Sequence, residues 1–227
     1  VLETNGPVRT PWLAQVPALL QAWYPGIRGG EGIAALLTGK VNPSGRLPVT
    51  WVVDESQLPR PHVPGLGFNP KQPAVDIFDF DIEGANVGYK WAAAKGLVPT
   101  FAFGHGLSYS SFAYENLQVS VEGQRLVASV DVRNTGARAG ADVAQLYLKL
   151  PQGHTTPIRL VGFDKVSLQP GEQRRIRIEA EPKTLADFDP IAREWKIAAG
   201  DYQLQLGRNA AEPLQVVDVQ LQDTVVR

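Results

Sequence analysis

From Tyr114 onward the apolar residues fall on alternate positions. Leu126, Ala128, Val130 and Val132 alternate with Val127, Ser129 and Asp131. Ala144, Leu146, Leu148 and Leu150 alternate with Gln145, Tyr147 and Lys149. The same period recurs at Ile176, Ile178 and Ala180, at Tyr202, Leu204 and Leu206, and at Val217, Val219 and Leu221. A period of two puts each set on one face of a strand. Asn134-Thr135-Gly136 and Pro170-Gly171-Glu172 supply turns between them. Short strands with regular turn signals predict an antiparallel β-sandwich of about seven strands in about 100 residues, here placed at 112–227.

The first half has a different grammar. Val1-Leu2 reads as a strand running into the turn Thr4-Asn5-Gly6-Pro7. Thr10-Pro11-Trp12 reads as the start of a short helix, with Thr10 as cap and Pro11 in its first position. The apolar run from Ala18 to Tyr24, closed by Pro25-Gly26, predicts a buried strand. Gly29-Gly30-Glu31 then opens a helix whose apolar face is Ile33, Leu36 and Leu37 and whose stop is Gly39. After a turn at Asn42-Pro43-Ser44-Gly45, Leu47 to Trp51 reads as a strand whose proline places it at an edge or at a strand start. This is an α/β layer with too few units to close on itself.

Residues 54–75 hold many prolines and no period, which predicts a long surface loop lying on another surface. Asp76 to Glu83 alternates, with Phe78, Phe80 and Ile82 on one face and Asp79, Asp81 and Glu83 on the other. Val87 to Lys95 reads as one or two helical turns stopped by Gly96. Between the halves lies Phe101-Ala102-Phe103-Gly104-His105-Gly106-Leu107-Ser108-Tyr109, followed by Phe112 and Tyr114. It reads as a seam: a strand end, a tight glycine turn and an aromatic staple.

The 227 residues fit one or two domains, and a formal net charge of -1 argues against a nucleic-acid partner. No apolar run approaches the roughly 20 residues of a membrane span, and no signal peptide is visible. Cysteine is absent, which excludes disulfides and cysteine-based metal sites or nucleophiles. Methionine is absent too, so a chain opening on Val1-Leu2 is expected to be the C-terminal part of a longer polypeptide.

The candidate chemistry is sparse. Asp79, Asp81 and Glu83 could bind a hard cation or act as an acid–base pair. Alternate residues on a strand lie about 7 Å apart, however, and the plain reading is a solvated strand face. His105 could be a general base, but no nucleophile motif accompanies it, so hydrogen bonding within the seam is the plain reading. Glu3 and Asn5 follow a strand's carboxyl end, where α/β sheets bind ligands, although either could simply cap a turn. Gly29-Gly30 could cradle an anion, yet no Gly-Lys-Ser/Thr follows. Trp12, Trp23, Trp51, Trp91 and Trp195 could stack on sugars or fill cores.

Several ordered motifs add a resemblance. Val1-Leu2-Glu3-Thr4-Asn5-Gly6-Pro7-Val8, Trp12-Leu13, Gln21-Ala22-Trp23-Tyr24-Pro25-Gly26 and Val41-Asn42-Pro43-Ser44-Gly45-Arg46-Leu47-Pro48-Val49-Thr50 resemble the second domain of glycoside hydrolase family 3. Glu83-Gly84, Val87-Gly88-Tyr89-Lys90 and Phe103-Gly104-His105-Gly106-Leu107-Ser108-Tyr109 continue it in order. Arg133-Asn134-Thr135-Gly136, Gln145-Leu146-Tyr147, Leu160-Val161-Gly162-Phe163, Pro170-Gly171-Glu172 and Gly200-Asp201-Tyr202 are similar to the fibronectin type III-like domain that ends many of its β-glucosidases. The pattern departs at Ile27-Arg28, where the family often has Gln-Glu, and at Lys90-Trp91 with Ala92-Ala93-Ala94, where it often has Arg and then an aromatic-Asp pair.

The resemblance implies an αβα-sandwich fragment at 1–111 and a fibronectin type III-like, immunoglobulin-like sandwich at 112–227. It implies the C-terminal portion of a retaining β-glucosidase, with a β-glucoside as substrate and the upstream barrel and sandwich segments as partner. The family's nucleophile is an Asp of the barrel, and its acid/base is usually a Glu shortly before the strand that opens this chain. No catalytic role therefore transfers to any residue here, and Glu3 and Asn5 remain the substrate-binding candidates. No cofactor or metal is expected, no nucleic acid or membrane partner is expected, and a homodimer is left open. A periplasmic or extracellular location is favoured over a cytoplasmic one. The rival readings are a non-catalytic carbohydrate-binding module, which needs an exposed aromatic platform, and a structural or interaction module.

Overall fold

The computed structural model describes residues 1–61 and 81–226. The strand predicted at Asp76–Phe80 and the loop from 62 onward lie outside the described residues. An α/β fragment is followed by a β-sandwich.

The sandwich is built from seven long strands. β1 (Phe112–Glu122), β2 (Arg125–Asn134) and β5 (Gln173–Ala180) form one antiparallel sheet in the order β1-β2-β5. β3 (Gly140–Lys149), β4 (Ile158–Leu168), β8 (Gly200–Asn209) and β9 (Glu212–Leu221) form the other, in the order β4-β3-β8-β9. The alternating apolar residues meet between the sheets. Val130 pairs with Ile176, and Leu148 pairs with Leu204, all four buried. Each such side chain, fully withdrawn from water, contributes about 1.5–3 kcal/mol.

The alternation does not predict β4. Val161 is the extra residue of a bulge where the β3–β4 register shifts between Leu146 and Tyr147. A bulge moves the following side chains to the other face, which erases the period of two. A third, small sheet of β6 (Asp187–Asp189), β7 (Glu194–Ile197) and β10 (Thr224–Val226) closes one end beside the short α3 (Pro182–Leu185). Leu185, Ile197 and Val226 join the core from there.

The preceding segment is bound differently. α1 (Gly29–Leu37) and α2 (Tyr89–Ala94) form where the spacing predicts. Gly39, at φ +71°, stops α1 in a conformation that a side chain would oppose. The extended parts are thinner than the sequence suggests. Ala18 to Tyr24 is not a buried strand: a single parallel bridge joins Leu2 to Gln21, and no residue of the run is buried. Leu47 to Trp51 keeps one antiparallel bridge, Trp51 to Phe101. Asn42–Gly45 does not form the expected turn; the Asn42 side chain donates to the Ala139 carbonyl and accepts from Ser108 Oγ and the Tyr109 N–H. The helix expected at Thr10-Pro11 is one 3-10 turn at Leu13–Gln15, with neither residue inside it. Asp81 to Gly84 is a bend and turn, not a strand.

Packing explains the contrast. Among the described residues, Trp51 is the only buried apolar side chain before Phe112. Ile27, Tyr24 and Leu37 stand well exposed. Without partners on both faces, a strand of this kind loses the burial that would pair it along its length.

The outer face of β3 is one place where the sandwich holds the first half. Gln145 and Tyr147 point away from the sandwich core and are still buried. Gln145 Nε2 donates to the carbonyls of Gly104, at 3.1 Å, and Arg208, at 2.7 Å, while Tyr147 Oη donates to Gln145 Oε1 at 2.7 Å. Phe103 stacks on Tyr89, whose ring meets Tyr147 edge-on. Arg46 pairs with Asp142, and Tyr114 Oη donates to the other Asp142 oxygen at 2.8 Å.

Candidate functional site

The bridge between Leu2 and Gln21 places two parallel strand ends side by side. Leu2 N–H donates to the Leu20 carbonyl and Ala22 N–H donates to the Leu2 carbonyl, both at 2.8 Å. Past the bridge the two ends carry Glu3-Thr4-Asn5 and Trp23-Tyr24. Gln21 Nε2 reaches across to the Thr4 carbonyl at 3.0 Å, and Thr4 Oγ1 donates to the Gly6 carbonyl at 2.8 Å. These bonds fix the backbone of the turn and leave the side chains of Glu3 and Asn5 exposed.

Trp23 sits at this edge with φ +54°, a left-handed conformation that a bulky residue adopts only under constraint. Tyr24 beside it is 74% exposed. The carboxyl ends of parallel strands are where open α/β sheets place ligands. A carboxylate, an amide and two aromatic rings can hydrogen-bond hydroxyls and cover an apolar sugar face. Sequence reasoning missed Trp23 and Tyr24 as members of this edge. Only the bridge, a contact between residues 19 positions apart, brings them beside Glu3 and Asn5.

The other candidates lie elsewhere. Asp81 is exposed, and Glu83 is half-buried on a cavity of about 190 Å³ that Trp91, Gln57 and Thr50 also line. Asp79 lies outside the described residues. Trp91 Nε1 donates to the Gln57 carbonyl at 3.0 Å, which holds its ring against that cavity wall. Among the described residues no cluster of three or more His, Asp or Glu side chains could hold a metal ion.

His105 makes its hydrogen bonds within the seam through its main chain, accepting from the Leu47 N–H and donating to the Ala102 carbonyl. Its ring stacks on Phe101, with centroids 5.1 Å apart. Burial lowers its pKa, with Arg46 adding to the effect and Glu212 opposing it. Gly29 and Gly30 do begin α1, with no side-chain cap at its first turn and an exposed Arg28–Glu31 pair beside it. Trp51 is a core residue, and Trp195 packs on the sandwich core beside Phe188 with its ring tilted 58°. Two rings at that angle make no flat platform for a sugar.

Residues 1–109 match the glycosyl hydrolase family 3 C-terminal domain, and residues 142–210 match the fibronectin type III-like domain. The first half of the chain thus carries the C-terminal domain of glycosyl hydrolase family 3. The chain is 38% identical over 226 residues to a probable beta-glucosidase I of Aspergillus terreus, covering 94% of this chain and 26% of that protein. It is 37% identical to beta-glucosidase B of Emericella nidulans, covering 96% of this chain and 27% of that protein. Among solved structures it is similar to beta-glucosidase 3B of Thermotoga neapolitana in complex with alpha-D-glucose. That likeness has TM-score 0.87 and 32% identity and covers 99% of this chain and 31% of that one. It is also similar to DesR, a beta-glucosidase of Streptomyces venezuelae in complex with D-glucose, with TM-score 0.83 and 35% identity over 96% of this chain and 28% of that one. The chain thus spans about a quarter to a third of the length of these relatives.

Proposed function

We propose that this chain serves as the C-terminal portion of a retaining β-glucosidase. That enzyme removes terminal β-linked glucosyl residues from oligosaccharides or aryl glucosides. Retention needs two carboxylates about 5 Å apart, one a nucleophile and one an acid/base. This chain supplies neither in our reading. It supplies the strand-end edge, where Glu3 and Asn5 contact hydroxyls of the substrate, and the sandwich that supports that edge. The upstream barrel and sandwich segments carry the carboxylates.

The observation that carries the reading is the likeness of the chain over nearly its whole length to beta-glucosidases solved with glucose, one of them at TM-score 0.87. The rival reading, a free-standing carbohydrate-binding module, lacks a coplanar aromatic platform at Phe188 and Trp195.

A chimera tests it. Residues 1–227 replace the matching segment of the Thermotoga enzyme, and hydrolysis of an aryl β-glucoside is followed, with the anomer of the first-formed glucose read by NMR. The chimera should release β-glucose, while residues 1–227 alone and the truncated Thermotoga enzyme alone should release none. A folded chimera without turnover, or turnover by residues 1–227 alone, would overturn the proposal.

A further inference from the structure

One series of contacts runs from the sandwich to the strand-end edge. It starts at Gln145, whose Nε2 holds the Gly104 carbonyl at 3.1 Å. The Gly104 N–H donates to the Leu47 carbonyl and the Leu47 N–H to the His105 carbonyl, both at 2.8 Å. The same two extended segments close again at Trp51 and Phe101, which exchange both backbone bonds. Trp51 is 1% exposed, and its Nε1 donates to the Val8 carbonyl at 2.9 Å. Val8 directly follows the turn that carries Glu3 and Asn5.

We infer that Gln145 and Trp51 are positioning residues, through which the sandwich holds the strand-end edge in place. The physical warrant is that every step of this series is a hydrogen bond between named groups and that its two ends, Gln145 and Trp51, are buried. Among the described residues Trp51 is the only apolar side chain of the first half that is buried, so its ring and its bond to Val8 are the buried part of the link to that edge. Polar contacts in a buried setting are also directional, and the Gln145 amide has its oxygen and its nitrogen both engaged, by Tyr147, Gly104 and Arg208. That the edge is the substrate-contacting edge rests on the function proposed above; the mechanical link does not.

Spatial continuity alone does not prove coupling, so the test measures it. Amide hydrogen exchange is followed on residues 1–227 in the parent chain, Gln145→Ala, Trp51→Phe and the double variant, with no substrate present. Gln145→Ala should speed exchange about tenfold at Gly104 and Leu47 and also at the distant Leu2 and Ala22 amides. Val130 and Leu204 in the sandwich core should keep their protection. Trp51→Phe keeps an aromatic ring but loses the bond to Val8, and it should speed Leu2 and Ala22 alone. In the Trp51→Phe background, Gln145→Ala should add nothing further at Leu2 and Ala22. Exchange at Leu2 and Ala22 that ignores Gln145→Ala, or additive effects in the double variant, would overturn the inference. So would equal loss of protection at Val130, which would mean a collapsed sandwich. An inactive chimera would leave these readouts unchanged, so the two proposals fail separately.

Discussion

Gly104 and Gln145 approach each other so closely that a methyl group on the glycine would overlap the amide oxygen. Gly104 also has φ +83°, where an L side chain is strained. Both effects oppose the same substitution. Gly104→Ala should cost about 2 kcal/mol or more, measured by urea unfolding of the chain, with the loss seen first in Trp51 fluorescence. A change below about 0.5 kcal/mol would mean that the turn is free to move away from β3.

The Arg46–Asp142 pair should respond asymmetrically to truncation. Both side chains are nearly buried, 13% and 11% exposed, and Asp142 also accepts from Tyr114. Asp142→Ala leaves the guanidinium without its counter-charge and should cost about 3–5 kcal/mol. Tyr114→Phe removes one hydrogen bond to a charged acceptor and should cost about 1.5–3 kcal/mol. Chemical denaturation of both variants checks the order; a larger loss for Tyr114→Phe would contradict it.

Stability should fall in alkali. Burial raises the pKa of the Tyr114 phenol, and the Asp142 charge and hydrogen bond raise it further. Burial likewise raises the pKa of Tyr147. A raised folded pKa means that the native state binds more protons than the unfolded one once the pH passes the ordinary tyrosine value of about 10. Stability is then complete below pH about 10 and lost as the pH rises beyond it. Tyr114→Phe and Tyr147→Phe should each flatten this alkaline slope in thermal melts from pH 8 to about 11. An unchanged slope in both variants would contradict the assignment.

Residues 112–227 should fold without the rest of the chain. Every buried apolar residue among those described, except Trp51, lies within them. The isolated fragment should give a β-type circular dichroism spectrum and unfold cooperatively, at lower stability than the whole chain because Gln145 and Tyr147 lose their cover. Residues 1–111 alone should show no cooperative transition. A disordered spectrum for 112–227 would contradict this.

Much of the architecture follows from local pattern. The alternation at Leu126–Val132, Ala144–Leu150 and Tyr202–Leu206 names the core side chains correctly, because a strand with one buried face has only one way to divide its residues. α1 and α2 are legible for a similar reason, since helix spacing and a glycine stop act within a few residues. The family is legible too, because motifs such as Val41–Thr50 keep their order along the chain.

Tertiary structure decided the rest. Gln145 and Tyr147 occupy positions that alternation assigns to solvent, and they are buried because a distant segment lies across them. The run from Ala18 to Tyr24 is apolar enough for a buried strand, yet it keeps one bridge, because burial depends on neighbours that the run does not itself specify. Val161 adds one residue to β4 and breaks the period, a defect visible only against the register of β3. The strand-end edge is of the same kind. Glu3 and Asn5 can be suspected from a turn after a strand, but Trp23 and Tyr24 join them only through a pairing between separate segments. Side-chain period is a property of the local backbone, whereas cover, register and the meeting of two strand ends are properties of the folded whole.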